Sequence, residues 1–345
     1  MIKRKTLLVL ALIMILLLPT FTGCSSQGEN EAPAEEPENE AEEPEGENEE
    51  EVEWPTDAVS IICPSRAGGF ADSQSRILAD YLQRSTGVPF AVVNASEGGG
   101  NIGSDTVKNA KPDGRTLLHF HTSFPIAAYT GRYDGDPKTD FTVIAATQNP
   151  GNHVFAAKAD APYDNIEELV EYAKENPGKV TWGASTGVTS HFMMALLERE
   201  ADVEFNMVDA GNERERVTSL LGGFIDVSNF GINGAHQHVE VGDMKILGVI
   251  SDERDPNLDQ YPTISEQGYD VTWDGAFGLW GPADMNPALV AKINEALKGF
   301  GEDEKVKEAF NKMGAVFNYR DVEESKEYYY NMYDMLQNLA TDLGF

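Results

Sequence analysis

Short apolar runs alternate along this chain with segments in which apolar residues recur every three or four positions. The run Val59–Cys63 is apolar at four of its five positions, which predicts a buried strand. A glycine loop, Ala67-Gly68-Gly69, follows it. From Ala71 to about Arg84 the apolar residues have helical spacing, so this segment predicts a helix.

The alternation of strand-like and helix-like segments continues to the end of the chain. We predict strands at 90–94, 116–121, 141–146, 154–157, 180–183, 225–229 and 245–251. We predict a helix that ends near 109, a short helix that opens at Ser123, and further helices at 165–175, 191–200, 213–221, 287–300, 305–313 and 322–343. This order of elements is typical of an α/β protein with mainly parallel sheets.

The loop between the first strand and the first helix has the features of an anion site. Gly68 and Gly69 let the backbone approach a ligand, and the first N–H groups of the helix carry the positive end of its dipole. Arg66 offers a forked and permanently charged donor, so we predict that it contacts a carboxylate. The alternative is an ordinary strand-to-helix turn with Arg66 in solvent.

The first 24 residues have the pattern of a bacterial export signal. Residues 3–5 are basic, and the apolar run at 7–18 is too short for a comfortable membrane span. The segment closes with Phe21-Thr22-Gly23-Cys24, which resembles the lipobox of lipoproteins, although Phe21 stands where an aliphatic residue is usual. We therefore predict a lipoprotein signal peptide at 1–24, acylation of Cys24, and a location outside the cytoplasm on the cell membrane.

Residues 25–53 are dominated by glutamate. Fourteen glutamates and no lysine or arginine lie between Gln27 and Glu53, which predicts a disordered tether. The whole chain has 58 acidic residues against 26 basic ones, a formal net charge of −32. This balance argues against nucleic acid as a partner. The two cysteines imply neither a disulfide framework nor a Cys-rich metal site.

Two enzyme-like patterns need an explanation. Gly98, Gly100 and Gly103 match a dinucleotide-binding fingerprint, but the next predicted strand has no acidic residue to hold a ribose. Ser190 beside His191 does not form a triad, because chain neighbours do not face each other productively. We therefore predict no cofactor and no enzymatic activity.

The histidines suggest a metal site only weakly. The pairs His119/His121 and His236/His238 could each place two imidazoles on one side of a strand. A zinc site needs three or four converging ligands, and nothing in the spacing completes either set. We therefore predict no metal.

A series of motifs runs in order from Trp54 to the end of the chain. They are Trp54-Pro55, Pro64-x-x-Ala67-Gly68-Gly69-x-x-Asp72, Asn94-x-x-x-Gly98-Gly99-Gly100-Asn101-Ile102-Gly103, Ala110-Lys111-Pro112-Asp113-Gly114, Gly183-Ala184-Ser185-Thr186-Gly187, Leu220-Leu221-Gly222-Gly223 and Tyr261-Pro262-Thr263. Together they resemble the solute-binding receptors of tripartite tricarboxylate transporters, also called Bug-type binding proteins.

The resemblance implies an α/β, two-lobed fold of the periplasmic-binding-protein type II, with a ligand cleft between the lobes. We expect lobe 1 at 54–155 and 275–345, and lobe 2 at 156–274. The implied function is a monomeric, lipid-anchored receptor that captures a small carboxylic acid for the permease subunits of the transporter. The predicted ligand-binding residues are Ser65, Arg66, Ala67, Gly68, Gly69, Asp72, Ser123, Ser185, Thr186, Gly187, Thr189, Ser190, His191, Asp209, Gly211 and Asn212.

Two positions depart from the family's pattern. Arg66 stands where the family usually has a small residue, and Asp209-Ala210-Gly211-Asn212 replaces its usual Pro-Tyr-Lys-Gly run. The ligand therefore need not be a simple dicarboxylate. Two other functions stay open: a module that presents its ligand to a membrane signalling kinase, and a secreted enzyme, which the lack of a nucleophile–base pair disfavours.

Overall fold

The computed structural model describes residues 52–149, 152–255, 258–313, 315–317 and 319–345. The predicted signal peptide, Cys24 and nearly all of the tether lie outside these residues. Within them, no helix is both long enough and apolar enough to cross a membrane.

Strands and helices alternate through the described chain. The strands are β1 (Val59–Cys63), β2 (Phe90–Asn94), β3 (Thr116–Phe120), β4 (Phe141–Ala146), β5 (Gln148–Asn149), β6 (His153–Lys158), β7 (Thr181–Ala184), β8 (Asn206–Asp209), β9 (Val227–Gly231), β10 (Met244–Val249), β11 (Gly278–Pro282) and β12 (Val316–Phe317). The helices are α1 (Phe70–Thr86), α2 (Asn101–Lys108), α3 (Ser123–Tyr129), α4 (Ile166–Glu175), α5 (Thr189–Ala201), α6 (Glu213–Leu221), α7 (Ile232–Glu240), α8 (Pro287–Glu295), α9 (Glu304–Met313) and α10 (Val322–Asp342).

Two five-stranded sheets have the same strand plan. The first has the order β2-β1-β3-β11-β4, and the second has the order β8-β7-β9-β6-β10. In each sheet the fourth strand runs antiparallel to both neighbours, whereas the first three strands are parallel. The chain enters the fourth strand of each sheet from the other sheet, since it runs from β4 through β5 to β6 and from β10 to β11.

These two sheets, with their helices, form the two lobes of an α/β fold, as predicted. The expectation of mainly parallel sheets is wrong, because β11 and β6 each run antiparallel to both neighbours and make the sheets mixed. The first lobe is the one built on β1 and the second is the one built on β7. Their predicted boundaries at 155/156 and 274/275 stay a prediction. Helix α10 packs against both β4 of the first lobe and α5 of the second.

Close packing explains the glycine run that resembled a dinucleotide fingerprint. Gly100 has a φ of +96°, and a Cβ atom placed on it would lie 2.8 Å from the Cβ atom of Pro64. Only glycine allows this approach between the start of α2 and the loop after β1. In the same region Cys63 is fully buried, as expected for the end of a core strand.

The sequence predicted most elements to within two or three residues, extended α8 five residues too far, and missed β5, β8, β11, β12 and α7. The supposition that His236 and His238 share a strand is wrong, because both lie in α7. That helix buries only Ile232 and Ala235 and contains Gly234, so its apolar periodicity is weak. Strand β8 is an edge strand with exposed ends, so it also has no continuous apolar run.

Candidate ligand-binding cleft

A cleft of about 740 Å³ opens where several strands end. One wall comes from Phe70 after β1 and from residues 121–123 after β3. The opposite wall comes from residues 188–190 after β7, the start of α6 after β8, and residues 231–234 after β9. In open α/β sheets, ligands bind at the carboxyl ends of the strands. The volume falls in the range of small-molecule sites, roughly 300–1,000 Å³.

Four helices of nine or more residues begin at this cleft, as does the short helix α3 at Ser123. The lining includes the first residue of each of α1, α5, α6 and α7, namely Phe70, Thr189, Glu213 and Ile232. Each of these helices has at least nine residues. Because the N-terminus of a helix carries partial positive charge and unpaired N–H groups, their convergence favours an anionic ligand.

The side chain of Asp72, in the first turn of α1, holds the loop after β1 in place through hydrogen bonds. Its carboxylate accepts hydrogen bonds from the Gly68 amide at 2.8 Å, from Asn94 Nδ2 at 2.9 Å and from Arg76 Nε at 2.9 Å. The bond from Arg76 is the main cause that lowers the pKa of Asp72 to about 2. Arg66 projects from this loop with an exposed side chain and forms no ion pair within the described ranges.

The loop after β7 is likewise tied to its neighbours. The Ser185 amide donates to Ser190 Oγ at 2.9 Å, and Ser185 Oγ donates to the Gly211 carbonyl at 2.5 Å. Thr186 Oγ1 donates to Asp209 Oδ2 at 3.2 Å. The loop is therefore preformed against the turn after β8, and its hydroxyls are largely used in holding that shape.

The predicted ligand-binding residues fall into two groups. Ser123, Thr189, Ser190 and Asn212 line the cleft. The residues Ser65, Arg66, Ala67, Gly68, Gly69, Asp72, Ser185, Thr186, Gly187, His191, Asp209 and Gly211 are outside this lining. That any of them contacts a ligand stays a prediction.

Two histidines that the sequence did not single out as ligand contacts also line the cleft. Burial lowers the pKa of His121 to about 4, although part of its ring is still accessible from the cleft. Burial also lowers the pKa of His153. Both rings are therefore neutral at pH 7. The Ser123 amide donates to His121 Nδ1 at 3.3 Å, which leaves Nε2–H of the neutral ring as a donor.

The charged residues that line the described cleft are Glu213 and Arg216. Glu213 Oε1 accepts a hydrogen bond from the Gly231 amide at 3.3 Å, so it lies at the start of α7 and offsets that helix's positive end. Trp273 and Phe277 add buried aromatic surface to the lining of the cleft. Among the described residues, no group of three or more His, Cys, Asp or Glu side chains is arranged to hold a metal ion.

This combination of two lobes with one sheet plan and an anion-favouring cleft between them defines a periplasmic-type solute-binding protein. A family model described as "Tripartite tricarboxylate transporter family receptor" matches residues 74–332, and the chain belongs to this family.

Individual relatives agree with this assignment. A UPF0065 protein from the tcbD-tcbE intergenic region of Pseudomonas sp. strain P51 is 32% identical over 253 residues, which cover 71% of this chain and 75% of that protein. A TctC solute-binding protein from Polaromonas has a similar structure, with a TM-score of 0.75 and 24% identity over 84% of this chain and all of that one. MatC from Rhodopseudomonas palustris, solved with bound malate, has a TM-score of 0.66 and 22% identity over 83% of this chain and 100% of its own.

Proposed function

We propose that this protein captures a small carboxylate outside the cytoplasm and delivers it to the permease subunits of a tripartite tricarboxylate-type transporter. The observation that carries the proposal is the convergence of four helix N-termini on one cleft of about 740 Å³. Neutral histidines, a serine and an asparagine add hydrogen-bonding groups without adding negative charge. The malate bound to a protein of similar fold supports the same class of ligand.

The proposed location and the proposed partner are supported by the family and by the sequence of residues 1–53. The basic, apolar and Cys24-containing segment is that of an exported lipoprotein, and the acidic segment after it would hold the two lobes away from the membrane. A receptor of this family needs a membrane permease to complete transport, so we propose that its partner is such a permease.

A thermal unfolding screen tests the ligand class. Malate, succinate, adipate and citrate are each added at neutral pH, with succinamide as an uncharged control. A ligand that binds only the folded state stabilises it by about 2.7 kcal/mol at a hundred times its Kd. We expect at least one acid to raise the midpoint and succinamide to leave it unchanged. If no acid raises the midpoint of the folded protein, or succinamide raises it equally, the proposal fails.

A further inference from the structure

Arg216 is a buried cation in the wall of the cleft. It lies in the first turn of α6 and is only 6% exposed. Leu220, one helical turn further on, is fully buried, so both side chains share the inner face of the helix. An arginine side chain keeps its charge in proteins, so burying it is unfavourable unless a partner compensates.

The described chain compensates this charge only in part. Nη1 of Arg216 donates to the Gly211 carbonyl at 3.0 Å and Nη2 donates to the Asn229 carbonyl at 3.2 Å, but Nε has no partner among the described residues. Arg216 forms no salt bridge within the described ranges, and Oε1 of Glu213 accepts from the Gly231 amide. Burial lowers the pKa of Arg216 more than the nearby charge of Glu213 raises it, so Glu213 compensates the buried charge only in part. The guanidinium therefore has spare donor capacity and full charge beside the cleft.

Two further residues of the cleft wall also have buried polar atoms without a hydrogen-bond partner among the described residues. These atoms are Thr189 Oγ1 and Asn229 Oδ1. The Asn229 amide contacts Met193 Sδ at 3.3 Å, and Met193 lies one turn after Thr189 on α5. A carboxylate matches the two donors of this set, because its oxygens accept from both the guanidinium and the Thr189 hydroxyl. Asn229 Oδ1 is itself an acceptor and does not bind the carboxylate.

We propose that Arg216, together with Thr189 Oγ1, anchors one carboxylate of the bound solute in the second lobe. This inference rests on the proposed function and specifies where the acid group is recognised. Glu213 repels a second carboxylate on the α7 side of the cleft. The rest of the solute therefore extends toward His121 and Ser123 of the first lobe.

Calorimetric titration of the purified full chain with the acids named above tests this anchor. Arg216→Met removes the charge but keeps much of the side-chain volume. Arg214→Met is the matched control, because Arg214 is an exposed arginine of the same helix outside the cleft lining. We expect Arg216→Met to weaken binding roughly ten- to a hundredfold. Arg214→Met should bind like the wild type, and Arg216→Lys should recover only part of the affinity, because lysine lacks the fork.

The unfolding midpoints of the ligand-free variants show whether Arg216 binds the ligand or only stabilises the fold. The Gly211 carbonyl also accepts from Ser185 Oγ, so we expect Arg216→Met to keep an unfolding midpoint close to that of the wild type. A large fall in that midpoint would make Arg216 structural and overturn the anchor. If Arg216→Met fails to fold, Arg216→Lys and Thr189→Val must still bind several-fold more weakly than the wild type. Equal binding by wild type and the folded variants overturns the anchor but leaves the proposed function intact. No binding of any acid by the wild type overturns both.

Discussion

Replacing Asp72 by asparagine tests how the loop after β1 keeps its shape. The Asp72 side chain is only 4% exposed and accepts hydrogen bonds from Gly68, Asn94 and Arg76. Asparagine keeps the size of the side chain but removes its charge and turns one acceptor into a donor. Gly68 and Arg76 both donate to Oδ2, whereas Asn94 Nδ2 donates to Oδ1. The new NH2 group therefore removes the acceptor either of Gly68 and Arg76 together or of Asn94.

The lowered pKa of Asp72 gives an estimate of how much stability the substitution removes. A fall in pKa from 3.8 to about 2 corresponds to about 2.5 kcal/mol of preference for the ionised form in the folded protein. This is an upper bound, because Asp72 lies near the protein surface and its partner Arg76 is 54% exposed, so solvent screens the pair. We expect Asp72→Asn to lower the free energy of unfolding by roughly 1–2 kcal/mol at pH 7.

The lowered pKa also determines how the stabilisation by Asp72 changes with pH. The folded-state pKa lies below the unfolded value, so the contribution is complete above pH 3.8 and disappears as the pH falls toward 2. Urea unfolding followed by circular dichroism measures the difference between wild type and variant at several pH values. The difference should shrink below about pH 4.

Asp80→Asn is the matched control for this experiment. Asp80 lies on the same helix and pairs with Arg84 at the same four-residue spacing, but its side chain is 56% exposed. Its replacement should cost less than about 1 kcal/mol. Hydrogen exchange adds a local readout, since the Gly68 amide should exchange faster in Asp72→Asn. Equal losses for the two variants, with unchanged exchange at Gly68, would refute the role assigned to Asp72.

Three further predictions concern pH, Arg66 and the membrane anchor. The pKa of His121 lies near 4 in the folded protein and near 6.5 when unfolded, so the unfolded chain binds the proton first and stability falls as the pH drops through that window. His121→Gln should make this decline shallower by roughly 2 kcal/mol in urea titrations, and an unchanged slope would contradict the burial of a neutral ring. If Arg66 contacts the solute carboxylate, Arg66→Ala should weaken calorimetric binding roughly tenfold; equal affinity would leave Arg66 as a surface residue. If Cys24 is acylated, Cys24→Ala should move the protein from the membrane fraction to the soluble fraction or leave it unprocessed, whereas membrane retention with a normal mature mass would exclude lipidation.

Apolar spacing predicted the framework of the fold well where that spacing is strong. The bounds of β1, β2, β4 and α6 match the prediction, because each has a continuous apolar run or a clear cap. Asn212 is the cap of α6 and forms a capping box with Glu215, which the sequence signals directly. The weakly periodic α7 and the exposed edge strand β8 lack such signals.

The cleft could be predicted only in part, because its lining depends on which loops meet in space. The sequence indicated the loops after β1 and β7, and Thr189 and Ser190 of the second loop do line the cleft. It missed Arg216, which stands in the charged run Glu213-Arg214-Glu215-Arg216 and resembles a solvent-exposed residue. The one available signal is its spacing of four from the buried Leu220.

The central claim is that the cleft binds a small carboxylate, and calorimetric titration of the wild-type protein tests it most directly. The acid that raises the unfolding midpoint most should bind saturably, with one site per chain, and its diamide should give no heat of binding. Binding should also change the fluorescence of Trp273, which lines the cleft, and Trp273→Phe should abolish that change. A folded protein that binds none of the acids, or that binds an acid and its diamide equally well, would contradict the account.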